Sequence, residues 1–366
     1  AVFAKIIRER MPGESVPVYL QTKYDVRTTR LYSYAWIVYG FLYIPIQLKT
    51  VSSIIQIVLP GLNLMVAMFI GVTIAVIYTS FSGMKGASAV GRVVCIGIYV
   101  LLICFVFTTL PKFGGFSGLL GELPEKYDSM GNMPTQRIVA WIVGGCISTA
   151  VMQAVLQPLL SAKSPEAARV GSILGYVIAA PICFFTAICG MLSKASGDGS
   201  TAFAYAIKTF SSPVFAGIIF AFATMIIAAT MATMMLATGT IITNVYKTEI
   251  NPDVDDAKVL KLSKTITFVF AYLTLIPAFL IPSKSLTNLF LTLQHVAAAP
   301  VSFSILAGLL WKTKQGAFWS MLTGMITGVA WMLLGLTDIV EAVYPVVVVT
   351  YGVGIIVSLM TYKEKN

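Results

Sequence analysis

Apolar runs of about twenty residues recur along the chain, and charge, proline and glycine collect in the short stretches between them. Each run can cross ~30 Å of hydrocarbon as a helix rising ~1.5 Å per residue. The pattern predicts spans at 31–59, 62–81, 88–110, 137–158, 167–192, 213–245, 257–281, 286–311, 316–335 and 342–361. The longest exceed what a bilayer requires, so tilt, kinks or extension into water are expected. Pro45, Pro181, Pro277 and Pro300 fall inside runs and mark expected kinks. The fold class is therefore an all-α integral membrane protein with about ten transmembrane helices in one domain over 1–366.

Composition agrees. Of 366 residues 57% are hydrophobic and 11% charged, where a soluble domain carries roughly 25% charge. The formal net charge is +10, which elsewhere would raise the thought of nucleic acid. Its distribution argues otherwise. The N-terminal segment and every second loop hold 18 of the 25 Lys and Arg, and the opposite loops hold 6. The excess is the positive-inside bias, which puts both ends of this chain in the cytoplasm of a multi-pass cell-membrane protein. Lys49 is left over, inside the first span. All 15 carboxylates lie in loops or at span ends, so neither a buried proton relay nor a carboxylate-pair active site is expected, and the chain does not read as an enzyme. The five cysteines fall in apolar runs with no CxxC pair, and the single histidine, His295, cannot form a metal cluster. The opening residues 1–30 are polar and basic rather than a signal peptide, and their lack of a starting Met reads as a fragment.

Four separated stretches carry a family resemblance: "YTSFSGMKG" from Tyr78, "QPLLSAKSPEAAR" from Gln157, "MAT…TNVYKTEINP" from Met231, and "GLLWKTKQG" from Gly308. In that order they resemble the signatures of the solute:sodium symporter family. The resemblance implies a fold like that of the bacterial leucine transporter, two inverted five-helix repeats around a midplane site. Residues 31–110 would be the remainder of the first repeat, 137–311 the second, and 316–361 peripheral helices. On that mapping the family's first two core helices would be absent from this chain.

The resemblance also implies a sodium ion held by hard oxygens on the sixth span. The matching positions are the carbonyl of Ala229, then Ala232 and Thr233. Thr233 keeps a hydroxyl and Ala232 has lost one. The family's Thr-Asp pair falls on Val90 and Gly91, and its Gln-Arg becomes Gln157-Pro158, departures that bear on ion coupling. The bland alternative for the threonines here is a bond to their own i−4 carbonyl.

Substrate candidates are polar or matched residues inside the bilayer. Met152 and Gln153 occupy the position where family members contact solute, and Gln294 and His295 precede Pro300. Lys49 either snorkels to the outer interface or forms an anion-attracting vestibule. A sugar is disfavoured, because Met152 replaces the Asn of the sugar carriers and the next helix has no lysine before its outer end. The expected function is a secondary transporter for a small organic solute such as an amino acid or monocarboxylate, driven by sodium, with the solute and the lipid bilayer as partners, no organic cofactor and no nucleic acid. The alternatives are a sodium-independent carrier, a membrane sensor, for which the chain end at "YKEKN" leaves no module, or a non-transporting truncated relative.

Overall fold

The structure is a computed structural model that describes residues 3–11, 15–127, 133–197, 202–281, 286–309 and 313–362, with side chains at all of these except 80–90, 126, 256–257 and 338. Among the described residues it is all helical. Two short helices, α1 (Ala4–Arg10) and α2 (Val16–Lys23), precede the long α3 (Val26–Val58) and α4 (Leu64–Thr109). There follow α5 (Gly115–Gly121), the bent pair α6 (Thr135–Thr149) and α7 (Gln153–Leu160), α8 (Pro165–Ala195), α9 (Ala202–Phe210) and α10 (Pro213–Val245). The rest comprises α11 (Asp256–Leu273), α12 (Leu275–Leu280), α13 (Leu286–Leu293), α14 (Ser302–Leu306), α15 (Lys314–Leu333) and α16 (Val343–Tyr362). Eight described helical segments are long and apolar enough to span a membrane, nine if α6 and α7 count as one.

Local chemistry sets the helix starts. Asp25, Asn63, Ser164 and Ser212 each accept a backbone N–H from the first turn of α3, α4, α8 and α10. Pro165 and Pro213 occupy positions where a missing N–H costs nothing. The prolines inside runs divide into two kinds. Pro45 and Pro181 stay within continuous helices, whereas α11 gives way to α12 at Thr274, three residues before Pro277. Around Pro300 the helix widens into a π segment (Gln294–Ala298) and then tightens into a 3₁₀ turn (Ala299–Val301).

Predicted spans 62–81 and 88–110 correspond to a single helical run, α4. Residues 70 and 97 would stand ~40 Å apart along a straight helix. Yet Ile70 and Ile74 share a groove with Phe220 and Met225 of α10, and Gly97 abuts the ring of Phe222. The two halves thus pass the same stretch of α10 and act as two spans. Most of the "YTSFSGMKG" motif between them lies outside the described side chains.

α10 is the hub, packed against α3, α4 and α11. One apolar core gathers Trp36, Met231, Met235, Ile305 and Met321, and a second gathers Leu102, Phe105, Ile188, Ile207 and Phe220. α15 and α16 pair antiparallel through small residues, with Gly316 against Ser358 and Gly324 against Thr350. Large apolar side chains on the outside, such as Val177 on α8 and Val348 on α16, face where lipid would lie.

The N-terminal stretch, polar in sequence, folds beneath the bundle at its basic end. Ile7, Met11, Val16, Tyr19 and Leu20 are all buried there. Arg8 Nε donates to the carbonyl of Ala162 just past α7 (3.1 Å), and Arg10 Nη1 donates to that of Leu309 (2.7 Å). Tyr24 donates its hydroxyl to the carbonyl of Ser304 (2.7 Å). Burial pushes the Tyr19 phenol up to about 12, so it stays neutral. Nearby, Glu249 accepts from Arg30 Nε (2.7 Å) and from the Tyr34 hydroxyl (3.1 Å), tying α3 to the end of α10.

Candidate functional site

Among the described residues, a sharp break within a span falls at the junction of α6 and α7, where the two axes differ by 46°. Residues 150–152 leave the helix, and Met152 is extended (φ −70°, ψ 129°). The sequence explains a weak point here. Gly144, Gly145, Ser148 and Thr149 are poor helix formers, and Pro158 removes one N–H from the short helix that follows. Unwound backbone at membrane depth persists where it is buried or lines a cavity. This one lines a cavity.

That cavity, of about 420 Å³, is walled by Tyr43 of α3, Gly91 and Cys95 of α4, Met152 and Val155 at the break, Ile182 of α8, and Ala229, Thr230 and Thr233 of α10. Three predicted residues therefore meet: Met152, Ala229 and Thr233. Ala229 and Thr233 share a helix face because they are four residues apart. The Thr233 hydroxyl donates to the Ala229 carbonyl at 2.9 Å, and Thr230 donates to that of Ile226 at 3.1 Å. With both hydroxyl protons engaged, what these threonines offer the cavity is oxygen lone pairs. Such a surface suits a cation better than an anion. No lining residue is charged. Gly91, where the family pattern has an acidic residue, stands in the same wall.

The remaining predicted residues lie elsewhere. Ala232 is buried (1% exposed) but turns away from the cavity. Gln153 is adjacent to Met152, yet the non-helical backbone sends its side chain the other way. Its Oε1 accepts the Val16 N–H at the start of α2 (2.9 Å), while its Nε2 has no protein partner. Gln294 and His295 belong to the π segment and are buried against α6. Ser148 donates to the Gln294 carbonyl at 3.1 Å. The His295 Nε2 is an unpartnered atom facing Gly144, so close that a Cβ there would come within 2.1 Å. Neither residue lines the cavity.

Lys49, expected either to snorkel or to line a vestibule, is 5% exposed and donates to the carbonyl of Ile281 at the end of α12. A helix C-terminus is a natural partner for a cation. Ser52 and Ser53 donate to the carbonyl of Lys49 itself, each at 2.9 Å, so the polar stripe on α3 is largely internal. Tyr43 is one of the wall residues that motif matching passed over. Its signal was the spacing of aromatics along α3.

A family model described as the sodium:solute symporter family matches residues 2–324. An uncharacterized symporter of Bacillus subtilis (strain 168), YodF, is 25% identical over 301 residues, 77% of this chain. The chain spans 60% of the length of that curated relative. A solved structure of a sodium-coupled sialic acid symporter, in a substrate-bound outward-open state, superimposes with a TM-score of 0.76 at 16% identity, over 98% of this chain and 79% of that one. The likeness is one of fold.

Proposed function

This chain belongs to the sodium:solute symporter family, and from that premise we propose that it carries a small organic solute across the membrane by alternating access, coupled to sodium. The observation that carries the reading is the meeting of the α6–α7 break with Ala229 and Thr233 in one uncharged cavity. In this reading the Ala229 carbonyl and the Thr233 hydroxyl are oxygen ligands for the ion, and Met152 and Tyr43 contact the solute. Half-helix ends at the break supply oriented backbone dipoles for the solute's polar groups. The basic end of the bundle, with α1 and α2, faces the cytoplasm. The solute is an amino acid, a monocarboxylate or a similar metabolite. Gln153, Gln294, His295 and Lys49 act at one remove, by fixing the elements around the cavity.

Uptake into proteoliposomes tests this. A panel of labelled amino acids and monocarboxylates should include one that accumulates with an inward sodium gradient and stops when choline replaces sodium. Accumulation that persists in choline would overturn sodium coupling.

A second reading, a sodium-independent carrier, draws on two observations. Ala232 brings no side-chain oxygen, and Gly91 leaves the cavity wall without a carboxylate. Under that reading Thr233→Ala leaves uptake unchanged.

A further inference from the structure

Tyr32, Trp36, Tyr39 and Tyr43 recur at i, i+4, i+7 and i+11 of α3 and so share one face. All four are more than nine-tenths buried, and successive ring centroids stand 5.9, 5.0 and 5.5 Å apart. The column covers ~16 Å of helix axis. One end is Tyr43 in the wall of the cavity at the α6–α7 break, and the other approaches the basic end of the bundle, near Arg27 and Arg30.

The polar tips are the informative part. The Tyr43 hydroxyl accepts from Gln47 Nε2 at 3.0 Å. The hydroxyls of Tyr32 and Tyr39 and the Nε1 of Trp36 have no protein partner. Buried donors are nearly always paired in folded proteins, and an apolar seam would be built from Phe and Leu. Three successive orphans on one face call for a polar guest. Tyr and Trp join a flat apolar body to a hydrogen-bonding tip, a combination suited to surfaces that are wet for part of their working life.

We propose that this aromatic column lines the hydrated route by which solute leaves the cavity at the α6–α7 break toward the cytoplasm, an inference that rests on the transport reading above. Its uncharged O–H and N–H donors fit a small solute carrying carbonyl or carboxylate oxygens. Tyr43 receives that solute at the cavity, and Tyr39, Trp36 and Tyr32 meet it in turn. α2, which brings a further unpartnered and buried hydroxyl on Tyr19, stands at the cytoplasmic end of the bundle.

The test has two arms. Single variants Tyr32→Cys, Trp36→Cys and Tyr39→Cys are exposed to a charged, membrane-impermeant thiosulfonate added from the cytoplasmic side, and labelling is read site by site by mass spectrometry. Thr22→Cys at the exposed surface of α2 is the positive control. Val38→Cys on the outer apolar surface of α3 and the native Cys104 are the negative controls. The expected result is label at all three positions, falling from 32 to 39, and none at 38. In the second arm Tyr32→Phe and Tyr39→Phe are melted in detergent. In a dry seam, removing an orphan hydroxyl raises the melting midpoint, whereas on a hydrated route the midpoint stays level or falls. No label at any of the three positions, or a raised midpoint for both Phe variants, overturns the proposal. Neither arm requires a transported solute, so absence of sodium-driven uptake counts against the transport reading alone.

Discussion

Two spans of this protein abandon regular α-helix near the middle of the bundle, and they do so with opposite results. At the α6–α7 junction the backbone opens over residues 150–152, the axis turns by 46°, and the opened segment walls a cavity. Packed against α6, Gln294–Val301 widens and then tightens without leaving the helical region, and all of its residues but Ala297 are buried. Gly144 lies against His295, Gly328 against Val296, and Gly324 against Pro300. The glycines decide the difference. Facing helices without side chains let the π segment close up, whereas Met152 has the larger Tyr43, Ile182 and Thr233 around its cavity, which cannot come together. Irregular backbone thus marks a site only where its surroundings leave room.

Substitution at paired positions would break this contrast most directly. Gly144→Ala should cost about 1–3 kcal/mol by forcing a methyl into the His295 ring, lowering the detergent melting midpoint. Gly145→Ala, with open space around it, should cost nothing and raise helix propensity. Equal loss at both positions would show that the π segment is not close-packed against α6.

The open side should respond in transport rather than in stability. Thr233→Ala removes one oxygen from the cavity, and a hydrogen bond or ligand to a charged group is worth roughly 1.5 kcal/mol. The sodium concentration for half-maximal uptake should therefore rise roughly tenfold, with little change in melting. A smaller effect is expected on the packed side from Ser148→Ala, which deletes the bond to the Gln294 carbonyl and should cost ~1 kcal/mol of stability. Smallest of all is Thr240→Val on α10. Its hydroxyl only donates to the Leu236 carbonyl at 2.8 Å, so both melting and sodium response should stay within ~0.5 kcal/mol of the parent.

Much of this architecture was legible beforehand. Apolar run length located the spans, and the order of four motifs gave the family, because both are properties of one strand of sequence. Side-chain direction at irregular backbone was not legible. Met152 and Gln153 are neighbours in sequence, yet one enters the cavity and the other bonds α2, since extended backbone at the break resets the helical rotation. Thr233 was separable from the other threonines of α10 only through its motif. In the structure Thr230, Thr233, Thr240 and Thr243 all bond their own i−4 carbonyls. α1 and α2 were invisible to span-length windows, because eight residues of mixed polarity carry too little apolar signal until the bundle above receives them.

Arg8 and Arg10 belong to the basic N-terminal segment. Once the bundle has formed, the same two guanidinium groups hold the carbonyls of Ala162 and Leu309. The two side chains act as rivets, each closing the end of a helical segment that reaches the same side. A charge-neutral replacement at either position would leave a looser floor beneath α7 and α14. Replacing arginine by lysine tests the rivet alone, because the positive charge survives while the planar donor set does not.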